Sequence, residues 1–169
     1  VMPSFVYKKG LLISEQCIQL PYYAKLCYIR GVLKCRLPGF PKNACVVSAK
    51  VVEEVTGLPL IVGWYAPLYS KIMQKNPVAP LDGSLMPAAH SWNEDEENSL
   101  WLDISQGHYR DDAPLITIRP NTTRVLKPLP DITQTARAMS LKQFSAELRK
   151  EGIHLDLERL VKRLRWELN

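Results

Sequence analysis

The chain has no apolar stretch long enough to cross a bilayer, no C-x-x-C pair, no internal repeat and no low-complexity tract. Its longest apolar run, residues 58–66, is broken by Pro59 and Gly63. That run falls well short of the ~20 residues a spanning helix needs, so no transmembrane segment is expected. The N-terminus, Val1-Met2-Pro3-Ser4, lacks the basic-then-apolar layout of a signal peptide. A cytoplasmic location follows as an expectation, with export by a route lacking such a peptide left open. Cysteine is scarce: Cys17, Cys27, Cys35 and Cys45 all fall in the first 45 residues, and the three histidines lie far downstream. Without a close-spaced ligand pair no structural zinc site is expected, and nothing asks for a metal or a cofactor. Four cysteines permit disulfides, but a chain of 169 residues can build a core without them, so reduced thiols are the expectation.

What is present is ordinary globular composition, 46% hydrophobic and 23% charged, with the charge unevenly placed. Residues 1–50 carry eight Lys/Arg against one acid, a net +7; residues 51–131 carry six against eleven, −5; residues 132–169 carry eight against five, +3. Complementarity within the molecule is the preferred account of this asymmetry, ahead of a basic surface for an acidic partner such as nucleic acid or an anionic membrane. The N-terminal basic residues are scattered and lack the interleaved aromatics of a base-stacking surface, so a nucleic-acid partner is not expected.

Thirteen prolines punctuate the chain, clustering at 77–87 and 114–130, where loops and strand edges are predicted. Residues 14–33, interrupted by Pro21, read as a short helix or two. Asn43 as N-cap and Gly57 as C′ residue bracket a further helix with Val47, Val51 and Val55 at i, i+4 and i+8. Its paired valines also suit a strand; the terminal signals and the Lys50–Glu54 spacing favour helix, with Cys45 in the first turn. Strands are predicted at 58–65, 89–93 and 100–104, with further strand material at 115–118 and 123–126. Ser140 and Gln143 form a capping-box pattern before Phe144 and Leu148, and Gly152 stops that helix. Asp156 can cap a second helix carrying Leu157, Leu160, Val161, Leu164 and Leu168 on one face. The expected organisation is a catalytic domain over 1–131 and a C-terminal helical extension over 132–169, packed on it or on a partner.

Three positions carry chemistry. A thiol attacks as its thiolate, and the start of a helix favours the anion, which is where Cys45 is predicted. Such a nucleophile needs an imidazole to move its proton and a third group to orient that imidazole. If strands 89–93 and 100–104 turn between Glu96 and Glu97, His90 faces Asp103 and Trp92 faces Trp101 on one sheet face. A register slip of two keeps that common face, and a slip of one destroys it. Taken singly, each residue has a plainer role: a buried thiol, a satisfied loop histidine, a strand-ending aspartate. Their joint placement is what argues for a site. The backbone N–H of Cys45 is the natural oxyanion donor. A second donor is sought upstream, from Gln19, Tyr22 or Tyr23. Trp92 would wall the cleft, and Asn93 and Gln106 could line it; His108 is a rival base that no parity argument brings to Asp103.

The run Asn43-Ala44-Cys45-Val46-Val47-Ser48, the Gly63 strand, His90-Ser91-Trp92-Asn93 and Leu100-Trp101-Leu102-Asp103-Ile104-Ser105 resemble the core of transglutaminase-like proteins, within the papain-like cysteine hydrolases. The resemblance covers roughly residues 40–106. It implies an α+β fold in which a cysteine-bearing helix packs on an antiparallel sheet, here followed by a C-terminal helical hairpin. It implies Cys45 as nucleophile, His90 as general base and acid, Asp103 as orienting carboxylate, and a thioester resolved by water or an amine. This chain departs from the pattern in having neither Gly nor Trp beside Cys45. The expected activity is hydrolysis or acyl transfer at an amide bond of a protein or peptide substrate. The competing expectation is a non-catalytic interaction module that uses residues 139–168 to engage a protein partner.

Overall fold

The computed structural model describes residues 4–41, 44–66, 89–105 and 115–169. Among these residues the chain forms a mixed α+β structure of two small sheets and six helices. A short hairpin, β1 (Tyr7–Lys8) and β2 (Leu11–Leu12), turns through Lys9 and Gly10, both at positive φ. Then come α1 (Ser14–Cys17) and α2 (Tyr23–Arg36), separated at Pro21 as the sequence suggests. Leu26, Ile29 and Leu33 form the buried stripe of α2.

Helix α3 (Cys45–Thr56) is the centre of the molecule. Val47, Ser48, Ala49, Lys50, Val51, Val52 and Val55 are all buried, because both the sheet and other helices pack around it. Gly57 at φ +80° ends it in the left-handed conformation that a side chain would resist. Its N-cap is Ala44, whose side chain has nothing to accept with; the expected cap, Asn43, lies outside the described residues.

The main sheet is antiparallel throughout, in the order β6 (Thr117–Pro120), β5 (Leu100–Asp103), β4 (Ala89–Asp95), β3 (Leu60–Tyr65), β7 (Leu126–Pro128). The strands expected at 115–118 and 123–126 therefore form two residues later in the first case and begin three later in the second. Strand β4 also runs two residues further than expected. Glu94 and Asp95 pair with Trp101 and Leu100, and the turn is confined to residues 96–99. Asp95 fixes that turn by accepting from the backbone N–H of Asn98 and from its side-chain amide, while Ser99 takes a positive φ.

A helix the sequence did not announce, α4 (Pro130–Ala138), packs on β3. Only Ala136 is buried on it, so it has no apolar stripe to reveal it; Pro130 and Asp131 in its first turn are its sole signals. It spans the boundary expected at residue 131. Helices α5 (Leu141–Lys150) and α6 (Leu157–Leu168) follow with the expected capping box at Ser140 and the Asp156 cap. Phe144, Leu148, Leu157, Leu160, Val161 and Leu164 join Leu26, Val51, Leu100 and Ile118 in one hydrophobic cluster. The C-terminal helices thus complete the core of the chain itself. Polar contacts reinforce the join: Lys50, buried, donates to the carbonyl of Arg137 and pairs with Glu53 and Glu54, which in turn hold Arg137 and Arg165. No helix among the described residues is long and apolar enough to cross a membrane.

Candidate active site

The first residue of α3 is Cys45, half-buried and a free thiol. The first amide to bond back within the helix is that of Ser48, to the carbonyl of Ala44. The amides of Cys45, Val46 and Val47 therefore belong to the open first turn, at the positive end of the helix dipole.

His90 reaches this helix start from β4. Its strand partner is Gly63 on β3, a position where the backbones and the tryptophan crowd closely. A Cβ on Gly63 would sit 2.1 Å from the carbonyl oxygen of Lys127 and 2.6 Å from Cη2 of Trp92. Glycine lets β7 close on β3 while Trp92 lies across the sheet next to His90. The Trp92 ring stacks loosely beside the imidazole at 6.3 Å and meets Trp101 edge-on at 5.4 Å. Trp101 is held in turn by donating its Nε1–H to Glu94 at 2.7 Å. Trp92 is therefore a buried wall of the site, as the shared sheet face implied.

Nε2 of His90 hydrogen-bonds Oδ2 of Asp103, and both side chains are almost completely buried. The other carboxylate oxygen, Oδ1, accepts from the Ser105 backbone N–H at 2.8 Å and from its hydroxyl at 3.1 Å. The carbonyl of Ile104, between them, accepts from Nε of Arg30 at 3.1 Å. Asp103 is thus held on every side before any substrate arrives. With Nε2 committed to Asp103, Nδ1 is the ring nitrogen left to serve Cys45, and the thiol does interact with this ring.

The electrostatics follow from this geometry. Burial by itself works against the imidazolium, but the Asp103 charge and hydrogen bond, and then the contacts with Cys45, outweigh it and push His90 up to about 10. Burial also works against the Asp103 carboxylate. The His90 charge and hydrogen bond, together with the two bonds from Ser105, outweigh that and hold it below its ordinary value.

The hairpin register differs from the expected one by two residues. Asn93 pairs with Leu102 and Glu94 with Trp101, because the turn is centred one position later, on residues 96–99. The even shift leaves His90, Trp92, Trp101 and Asp103 on the same face. Asn93 lies on the other one. Its amide donates to the carbonyls of Ala49 (2.9 Å) and Leu58 (3.0 Å), clamping α3 to β4, so it does not line a cleft. Tyr22 donates to Asp95 at 2.5 Å and so braces the hairpin turn. Tyr23 packs on the core and interacts with Cys27 and Cys17, and Gln19 is exposed in the turn after α1. Gln106 and His108 lie outside the described residues. Ser105 and Arg30 are the positioning residues that reading the sequence missed. An Asp-x-Ser pattern at a strand end was the available signal for the first; nothing local marks the second.

The site contains no cluster of acidic, cysteine and histidine side chains able to hold a metal among the described residues. No protein-family model matches the chain, and no curated protein or solved structure matches it significantly.

Proposed function

We propose that the protein is a cysteine-dependent hydrolase or acyl transferase acting on amide bonds through Cys45, His90 and Asp103, in a papain-like arrangement. The observation that carries this reading is the division of labour on one buried imidazole. Nε2 is bound to Asp103, and the ring also interacts with a cysteine at the start of a helix. Chain order supports it too: cysteine helix, glycine strand, histidine strand, then a strand ending in aspartate.

In this mechanism the Cys45 sulfur attacks the amide carbonyl as its thiolate, forming the C–S bond as the carbonyl π electrons move to oxygen. Backbone amides at the start of α3 receive that oxyanion. His90, already protonated at neutral pH by virtue of Asp103, gives its proton to the departing amine as the C–N bond breaks. The thioester is then cleaved by water or another amine, His90 taking the attacking group's proton, and Cys45 leaves as thiolate. Asp103 keeps the ring oriented throughout.

The test is site-resolved alkylation by iodoacetamide across pH, read by peptide mass spectrometry. Cys45 should label selectively at about pH 6, ahead of the exposed Cys27 and Cys35, and His90→Ala should abolish that advantage. If Cys45 reacts no faster than those two thiols, the catalytic reading is wrong.

A second reading, a non-catalytic interaction module, is favoured by one observation: Trp166 on α6 is 86% exposed. Ordinary Cys45 reactivity together with a partner whose binding is lost in Trp166→Ala would select it.

A further inference from the structure

A cleft unrelated to the Cys45 site opens between the end of α2 and helix α6. Arg36, Arg159 and Arg163 line a cavity of about 370 Å³, together with His154, Asp156 and the buried Leu160. Three arginines and a single carboxylate therefore line it, all of them solvent-exposed residues. That carboxylate is partly engaged, since Asp156 accepts from the backbone N–H of Arg159 as the cap of α6. Arg163 commits its Nε to Glu167 at 2.8 Å, whereas Arg36 and Arg159 make no ion pair among the described residues. A neighbouring cavity of about 420 Å³ shares His154 and Asp156, but there Lys142 and Arg149 are balanced by Asp156 and Glu158. The larger excess of positive charge therefore belongs to the arginine cavity, with three arginines against one carboxylate.

The arginine cavity also continues into an apolar groove. Arg36, Leu160 and Arg163 line both it and a second cavity of about 430 Å³, whose further walls include Cys27, Gly31, Val32 and Leu164. Gly31 has nothing within 4 Å of where its Cβ would stand, so the groove is open above α2 at that point. Convergent arginines suit a phosphate, which their planar donors grip in pairs. An apolar trough leading away from them suits a hydrocarbon or ring attached to that phosphate.

We propose that this continuous cleft binds an organic phosphate monoester, its anionic group among Arg36, Arg159 and Arg163 and its apolar body along the α2–α6 groove. Such a group can belong to a soluble ester or to a lipid, and the test separates the two. Titration calorimetry of the full chain with octyl phosphate and with inorganic phosphate should show saturable binding of both, octyl phosphate about 10-fold tighter or more. Arg159→Gln should weaken both ligands about 10-fold or more. Gly31→Leu, an exposed helix position where leucine favours folding, should weaken octyl phosphate while sparing inorganic phosphate. Arg124→Gln, on an exposed loop elsewhere, should change neither. Co-sedimentation with phosphatidate-containing vesicles that Arg159→Gln abolishes would identify a lipid source. Binding of the soluble ester without vesicle binding would identify a soluble one. No saturable binding, or equal losses in Arg159→Gln and Arg124→Gln, overturns the proposal.

Discussion

His90 and Asp103 meet diagonally across the β4–β5 hairpin. The β4–β5 ladder ends at the Asn93–Leu102 pair, and continuing its register by one step would set Trp92, and not His90, opposite Asp103. The diagonal lets the imidazole present Nε2 to the carboxylate and leaves Nδ1 outside that bond. It also leaves room for Trp92 to cover the pair from water, where the ion pair gains most from a low dielectric.

Removing one partner of this pair strands the other charge in the interior. Asp103→Ala is expected to lower the unfolding free energy by about 3–5 kcal/mol, read by urea titration. Asp103→Asn keeps the shape but withdraws the charge that holds His90 protonated, and amide turnover should fall on the order of 10²-fold or more. Turnover surviving intact in Asp103→Asn would contradict the proposed mechanism.

The pair also sets a pH window for stability. The raised His90 contributes fully below its unfolded value of 6.5, and that contribution fades as pH climbs through about 10. The lowered Asp103 contributes fully above its unfolded value of 3.8 and loses its share as pH falls through the depressed folded value. The stability difference between the parent chain and His90→Gln should therefore be flat between those two unfolded values and shrink on either side. Denaturant midpoints across pH check this, and a difference that grows between pH 7 and pH 10 would contradict it.

Gly63 is a steric requirement rather than a flexible joint. Gly63→Ala must displace the Lys127 carbonyl and the Trp92 ring, at an expected cost of about 1–3 kcal/mol or more. Because Gly63 is paired with His90, the same change should also slow selective alkylation of Cys45. Thermal denaturation and the labelling assay read the two effects separately.

Asn93 provides the converse case. Asn93→Ala leaves the carbonyls of Ala49 and Leu58 without its amide and should destabilise the fold by about 1–3 kcal/mol. Its face of β4 is turned away from Asp103, so the pH dependence of Cys45 labelling should be unchanged in the variant that remains folded. A shift in that profile would mean Asn93 belongs to the site after all.

Much of this was readable in the residues alone, because it depends on local chemistry. Ser140 with Gln143, Asp156 and Gly57 cap or stop helices through bonds and torsions that involve only near neighbours. The common face of His90, Trp92 and Asp103 followed from strand parity, which survives a slip of two. Helix α4 was hidden because burial of Ala136 alone leaves no periodic signal. What only the tertiary structure decided was everything that depends on distant partners. The turn centre rests on Asp95 bonding Asn98 while Tyr22 braces it from α1–α2. The orientation of Asp103 rests on Ser105, and that of the adjoining Ile104 carbonyl on Arg30. The C-terminal helices turn inward because their leucines and Phe144 find Val51, Leu100 and Ile118 already facing them. Local sequence carries torsional and capping preferences over a few residues; which face a strand or helix buries, and against what, is settled only when the whole chain removes its apolar surface from water.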